Sequence, residues 1–134
     1  MGAWGADTFD NDTACDWSYA LEGTEDLTLV ESTIKAVANA GGNYVDEDAA
    51  CEALAACEVV ARLRGKFGAR NGYTETVDAW VKSHPCQPSE ALVASARQAI
   101  SRILGKNSGL RELWSELGEA EWIAAVEHLH RRLG

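Results

Sequence analysis

The feature that most constrains this chain is the rhythm of its apolar residues, which recur every three or four positions and are interrupted by glycine. Leu27, Val30, Ile34 and Val37 follow an i, i+3, i+7, i+10 spacing that stops at Gly41-Gly42, the pattern of one helix face. Before it, residues 10–22 open with Asp10-Asn11-Asp12, good capping and first-turn residues, and end at Gly23. A third run begins at Asp46 and sets Ala50, Leu54, Cys57 and Ala61 on one side before Gly65. Acids fill its first turn and Arg62 and Arg64 its last, as the helix dipole favours.

Residues 65–73, with three glycines, read as a loop. A short helix with Val77, Trp80 and Val81 inward follows, halted before Pro85. Pro88-Ser89 starts a longer one, whose apolar set from Leu92 to Leu104 is wide enough for burial from two sides. Gly105 ends it. Ser108 caps a segment carrying Leu110, Leu113, Trp114 and Leu117, and Glu119 opens the last, with Trp122, Val126, Leu129 and Leu133. No sustained alternation of β-branched residues competes with this reading. The expected fold is all-α: one domain over residues 1–134, a bundle of about seven helices with an extended N-terminal segment.

A chain of 134 residues can bury a core without a metal or disulfide. The four cysteines, Cys15, Cys51, Cys57 and Cys86, make no Cys-x-x-Cys pair and read as small apolar side chains of a reducing compartment. No apolar run approaches the roughly 18 residues that cross a bilayer. The start, Met1-Gly2-Ala3-Trp4-Gly5-Ala6-Asp7, lacks the basic and apolar regions of a secretory signal. The expectation is a cytoplasmic protein with no membrane partner.

The string Gly2-Ala3-Trp4-Gly5 … Phe9-Asp10-Asn11-Asp12 … Ala14 … Asp16-Trp17 resembles the opening of an uncharacterised bacterial family, domain of unknown function 4259. Two further stretches resemble it: Glu58-Val59-Val60-Ala61 running into Arg64-Gly65, and Asn107-Ser108-Gly109-Leu110-Arg111-Glu112-Leu113-Trp114 followed by Trp122. One departure is Gly109, where the family pattern has Glu; its loss weakens a helix start and touches no evident chemistry. The resemblance implies a small helical bacterial protein, sometimes found near toxin and immunity genes. It implies no activity.

The residues offer no catalytic constellation. Asp10, Asp12 and Asp16 fail as a calcium loop, because Cys15 stands where the turn needs glycine and no Glu closes the pattern. Asp10 or Asn11 as N-cap, with Asp12 in the first turn, explains them, and Trp4, Phe9 and Trp17 then anchor the N-terminal segment. Glu127-His128-Leu129-His130 supplies one Glu-x-x-His where a di-metal bundle needs two, so His128 to Arg132 reads as a dipole-complementary basic end. His84-Pro85-Cys86 does not pair a thiol with a base, since neighbours around a proline diverge. No metal, cofactor or catalytic residue is expected.

Charge is distributed unevenly. Residues 1–60 hold 13 acids against Lys35 alone, a net of −12; residues 61–134 hold 8 acids and 11 bases, a net of +3, together giving −9. An acidic half steers basic partners and repels nucleic acid, whose phosphates require Lys and Arg. The leading functional expectation is a protein-binding module, immunity or antitoxin-like, docking a basic partner through Glu25, Asp26, Asp46, Glu47 and Asp48 at two helix starts. The alternative is a small enzyme or ligand-binding domain with a pocket lined by Trp4, Asp10, Asn11, Asp12, Asp16 and Trp17. A homo-oligomeric scaffold, pairing the acidic half with the basic stretch 61–70 of another copy, is the third.

Overall fold

A computed structural model describes residues 5–134. It contains α1 (Asp12–Glu22), α2 (Thr28–Ala38), α3 (Glu47–Leu63), α4 (Glu75–Ser83), α5 (Glu90–Leu104), α6 (Gly109–Leu117) and α7 (Ala120–Leu133). Among the described residues, β structure is limited to isolated bridge positions, Val45 with Ser108 and a further one at Asn11. The chain is therefore all-α, as its periodicity predicts.

Helix starts fall where the capping residues stand. Asn11, Asp46, Ser89 and Ser108 each accept a hydrogen bond from the backbone N–H three residues on. Each cap satisfies a donor that the first turn leaves free and contributes about 1 kcal/mol. The α2 end departs from the glycine reading: the helix stops at Ala38, with Asn39 as C-cap, before Gly41.

The organising element is α3, which packs against all six other helices. The sequence stripe Ala50, Leu54, Cys57, Ala61 describes only part of this. Residues from Ala53 to Arg62 are all buried, so the helix is covered on every side. Its alanines and cysteines explain how: small side chains in every direction admit close neighbours all round, the signature of an internal helix. Cys51 and Cys57, although on different faces, are both buried free thiols. Burial, with nearby carboxylates, pushes the Cys51 thiol up to about 12, so it stays protonated and behaves as a small hydrophobe.

The other helices lay their apolar sides on this centre. Val30, Ile34 and Val37 of α2, Ile100 and Ile103 of α5 and Leu129 and Leu133 of α7 are essentially inaccessible. Each fully buried side chain of this kind contributes roughly 1.5–3 kcal/mol. Leu117 departs from its expected inward place and is 59% exposed at the end of α6.

Two loops are tied together at one end of the molecule. The Arg102 guanidinium donates to the carbonyls of Gly41, Asn43, Lys106 and Asn107. Asn107 takes a left-handed conformation, which asparagine tolerates. This draws the start of α6 onto the start of α3. A Cβ on Gly109 would stand 2.7 Å from the Tyr44 hydroxyl and 3.0 Å from the Glu47 amide nitrogen. Gly109 thus leaves room for Tyr44, whose hydroxyl donates to Glu112 at 3.1 Å.

Tertiary contacts also fix α4. Trp80 Nε1 donates to the Thr24 carbonyl, and His84 stacks on Trp80 with ring centroids 4.4 Å apart. His84 bonds the Trp80 carbonyl through Nδ1 and Glu25 through Nε2. The carbonyl bond and then the Glu25 bond raise its pKa above the ordinary 6.5. A raised histidine pKa means stability present below about 6.5 and lost as pH rises through the folded value. The thermal midpoint is accordingly expected to fall between slightly acid and alkaline buffer by more in the wild type than in Glu25→Gln. Equal falls would show that this pair does not couple to folding.

Candidate functional site

The described part of the N-terminal motif, residues 5–11, folds into a compact turn. Asp7 N donates to Asp10 Oδ2 at 3.2 Å, and Asp10 N returns a bond to the Asp7 carbonyl at 3.0 Å. A Cβ on Gly5 would lie 2.2 Å from Asp10 Oδ2, so this glycine makes room for the carboxylate. Asn11 accepts from Ala14 N as N-cap of α1 while its Nδ2 donates to the Thr8 carbonyl. Phe9 is buried, and Thr8 Oγ1 donates to Glu58 Oε2 at 3.1 Å.

Glu58 is the centre of a buried ionic network. Its Oε1 accepts from Arg62 Nε at 3.2 Å and from Arg132 Nη1 at 3.0 Å, and its Oε2 from Arg132 Nη2 at 2.8 Å and from Thr8. Four hydrogen bonds fill both oxygens. Arg62 goes on to Asp78 Oδ1 at 2.5 Å and to the Ala69 carbonyl, and Thr74 donates its hydroxyl to Asp78 Oδ2. Arg132 also reaches the Lys66 carbonyl and His128 Nδ1. Side-chain exposure is 1% at Arg62, 6% at Glu58 and 12% at Arg132, so these charges are carried inside the fold. Burial alone would raise the Glu58 carboxyl, but the hydrogen bonds and charge of Arg132, the charge of Arg62 and the Thr8 hydroxyl hold it below its ordinary 4.5.

These groups border a cleft of about 190 Å³ between the N-terminal turn, the loop after α3 and helix α7. Asp7, Thr8 and Asp10 line one side, Glu58, Arg62 and Arg132 the interior, and Asn71, Thr74 and His128 the rest. Burial, and to a smaller extent the charge of Asp7, raises the Asp10 carboxyl above its ordinary 3.8, against the pull of the Asp7 amide. A smaller cavity of about 20 Å³ lies beside it, walled by Gly5, Glu47, Cys51, Trp114 and Trp122. There Glu47 Oε2 is buried and has no hydrogen-bond partner among the described residues. Among those residues no cluster of three His, Cys, Asp or Glu is placed to hold a metal ion.

The residues expected to line one pocket are dispersed. Asp10 borders the cleft, and Asn11 is the helix cap. Asp12 and Asp16 are exposed on α1, while Trp17 is buried with Nε1 donating to Thr33 Oγ1 at 3.0 Å. Trp4 lies outside the described residues.

The acids expected to form a docking face have different neighbours. Glu25 and Asp26 sit at the turn between α1 and α2, where Glu25 pairs with His84 and Asp26 accepts from Thr28 N. Asp46 caps α3, Glu47 is half-buried on a cavity wall, and Asp48 is exposed. Thr13 Oγ1 donates to Asp48 Oδ1 at 3.1 Å, which ties α1, carrying the exposed Asp12 and Asp16, to α3, carrying Asp48 and Glu52.

The basic stretch 61–70 is largely engaged within the chain. Arg62 turns inward, Arg64 donates to the Leu133 carbonyl, and Arg70 lies over the Phe67 ring 4.9 Å from its centroid. Arg132, read from the sequence as a dipole-facing cation, is directed at Glu58. The network itself had one visible signal: Glu58 stands within Ala55-Ala56-Cys57-Glu58-Val59-Val60-Ala61, a charge amid apolar residues on every side of a helix.

The fold and cleft define a small all-α domain with a buried charged centre and an acidic α1–α3 surface. The family model described as Domain of unknown function (DUF4259) matches residues 2–125, and the chain belongs to this family. No curated protein and no solved structure matches it. No described helix is long and apolar enough to cross a membrane.

Proposed function

We propose that this chain is a protein-binding module, a cytoplasmic bacterial protein of the immunity or antitoxin kind, that docks a basic partner on the surface shared by α1 and α3. The observation that carries the reading is the placement of Asp12, Asp16, Asp48 and Glu52. Each helix holds its two acids one turn apart, and the Thr13–Asp48 bond sets the helices side by side. Like charges at i, i+4 destabilise an isolated helix by roughly 0.2–0.5 kcal/mol per pair. Among the described residues none of the four has an ion-pair partner, whereas Glu25, Glu58 and Asp78 are paired. A basic partner would supply the missing counter-charge, raising association rate and sharpening selectivity.

The test is capture from the native host with the full chain as bait, at low and high salt. The comparison bait is Asp12→Asn, Asp16→Asn, Asp48→Asn, Glu52→Gln. A stoichiometric protein partner lost both at high salt and with the neutralised bait supports the reading. Capture that survives both changes, or no partner at either salt, sinks it.

A further inference from the structure

We propose that the cleft beneath the N-terminal turn binds a small zwitterion of the α-amino-acid type, with its carboxylate on the Arg62–Arg132–His128 side and its ammonium at Asp7 and Asp10. The inference is independent of the acidic α1–α3 surface.

Hydrogen-bond bookkeeping identifies the two ends. A guanidinium has five N–H donors. Among the described residues Arg62 uses three, on Glu58, Asp78 and Ala69, which leaves two on its terminal nitrogens. Arg132 uses four, on His128, Glu58 twice and Lys66, which leaves one. Because His128 Nδ1 accepts from Arg132, the neutral ring carries its own proton on Nε2. Glu58 is saturated and accepts nothing more. The interior side therefore has spare donors and no spare acceptor on its central carboxylate.

The opposite side has the reverse character. Asp10 Oδ2 takes the Asp7 amide, and its Oδ1 takes no bond among the described residues. Asp7 adds a second carboxylate on the same wall. Those two acids would repel a free anion from the cleft, and a lone cation would leave the interior donors unmatched. A ligand with both charges answers both walls. The volume of about 190 Å³ is below the roughly 300–1,000 Å³ of drug-sized sites and suits something the size of a free amino acid.

The test is isothermal titration calorimetry on the full chain with the standard amino acids as zwitterions and with acetate and methylammonium as half-ligands. The variants are Asp10→Asn, which keeps an acceptor for the Asp7 amide, and His128→Ala. Asp10 is half-buried and Asp10→Asn keeps the acceptor, so its ligand-free thermal midpoint is expected to stay near the wild type. His128→Ala also removes the acceptor of Arg132 Nε, and its affinity is read beside its own ligand-free midpoint. The expected result is that at least one amino acid binds, that both half-ligands bind at least about tenfold more weakly, and that each variant loses about tenfold in affinity. Absence of heat with every amino acid at millimolar concentration overturns the proposal. So does acetate or methylammonium binding as tightly as the amino acid, or an affinity unchanged in either variant.

Discussion

Replacing Glu58 with alanine is expected to cost about 3–5 kcal/mol of folding stability, because it strands two guanidinium groups inside the protein. Arg62 and Arg132 are 1% and 12% exposed, so neither charge recovers much water when its carboxylate is removed. The loss is also distributed. Glu58 holds Thr8 of the N-terminal turn and Arg132 of α7 directly, and through Arg62 it reaches Asp78 of α4 and Ala69 of the intervening loop. Glu58→Gln is expected to be damaging too, since its amide would present a donor to guanidinium donors. Urea denaturation monitored by tryptophan fluorescence measures both. A loss below about 1 kcal/mol for Glu58→Ala would mean that the network is solvated or dispensable. The pH dependence gives a second readout. The Glu58 carboxyl is held below 4.5 in the folded state, so its stabilisation is present above that value and disappears as pH falls through the lowered one. The acid limb of the wild-type stability curve should therefore be steeper than that of Glu58→Gln.

Periodicity and caps made most of the fold legible. Helix starts at Asn11, Asp46, Ser89 and Ser108 follow from local chemistry that acts over three residues. What periodicity could not supply is the partner of each face. Ala50, Leu54, Cys57 and Ala61 describe one stripe of α3, but whether Ala53, Ala56 and Val60 are also covered depends on six helices that arrive from elsewhere in the chain. The same limit hid the ionic network. Arg62 and Arg132 each satisfy the rule that cations favour a helix C-terminus, and only long-range packing reveals that both turn toward Glu58, four and 74 residues away. The N-terminal motif was legible in part. Asn11 is the cap and Trp17 an anchor, whereas the close approach of Gly5 to Asp10 is set by a turn that no spacing rule specifies.

Trp17→Ala is expected to cost about 3–5 kcal/mol, the range for deleting a buried indole, and to do so without any ligand present. Trp17 is 5% exposed in the core around α1, and its Nε1 donates to Thr33 Oγ1 on α2. Two terms can be separated by substitution. Trp17→Phe keeps most of the apolar volume and loses the hydrogen bond, a loss of about 0.5–1.5 kcal/mol with a further contribution from the smaller ring. Thr33→Val removes the acceptor and leaves the indole N–H unsatisfied, at a cost of about 1–3 kcal/mol. Combined with Trp17→Phe, it should add less than its full single cost, because the donor it orphans is already gone. Thermal and urea unfolding of the three variants and the double variant decide this. The result also discriminates between packing and binding, because Trp17 does not border the cleft defined by Asp10, Arg62 and His128. An anchoring Trp17 predicts large stability changes and an amino-acid affinity unaltered in the folded Trp17→Phe protein. Loss of that affinity at unchanged stability would instead return Trp17 to the ligand site and require the N-terminal turn to move when the cleft is filled.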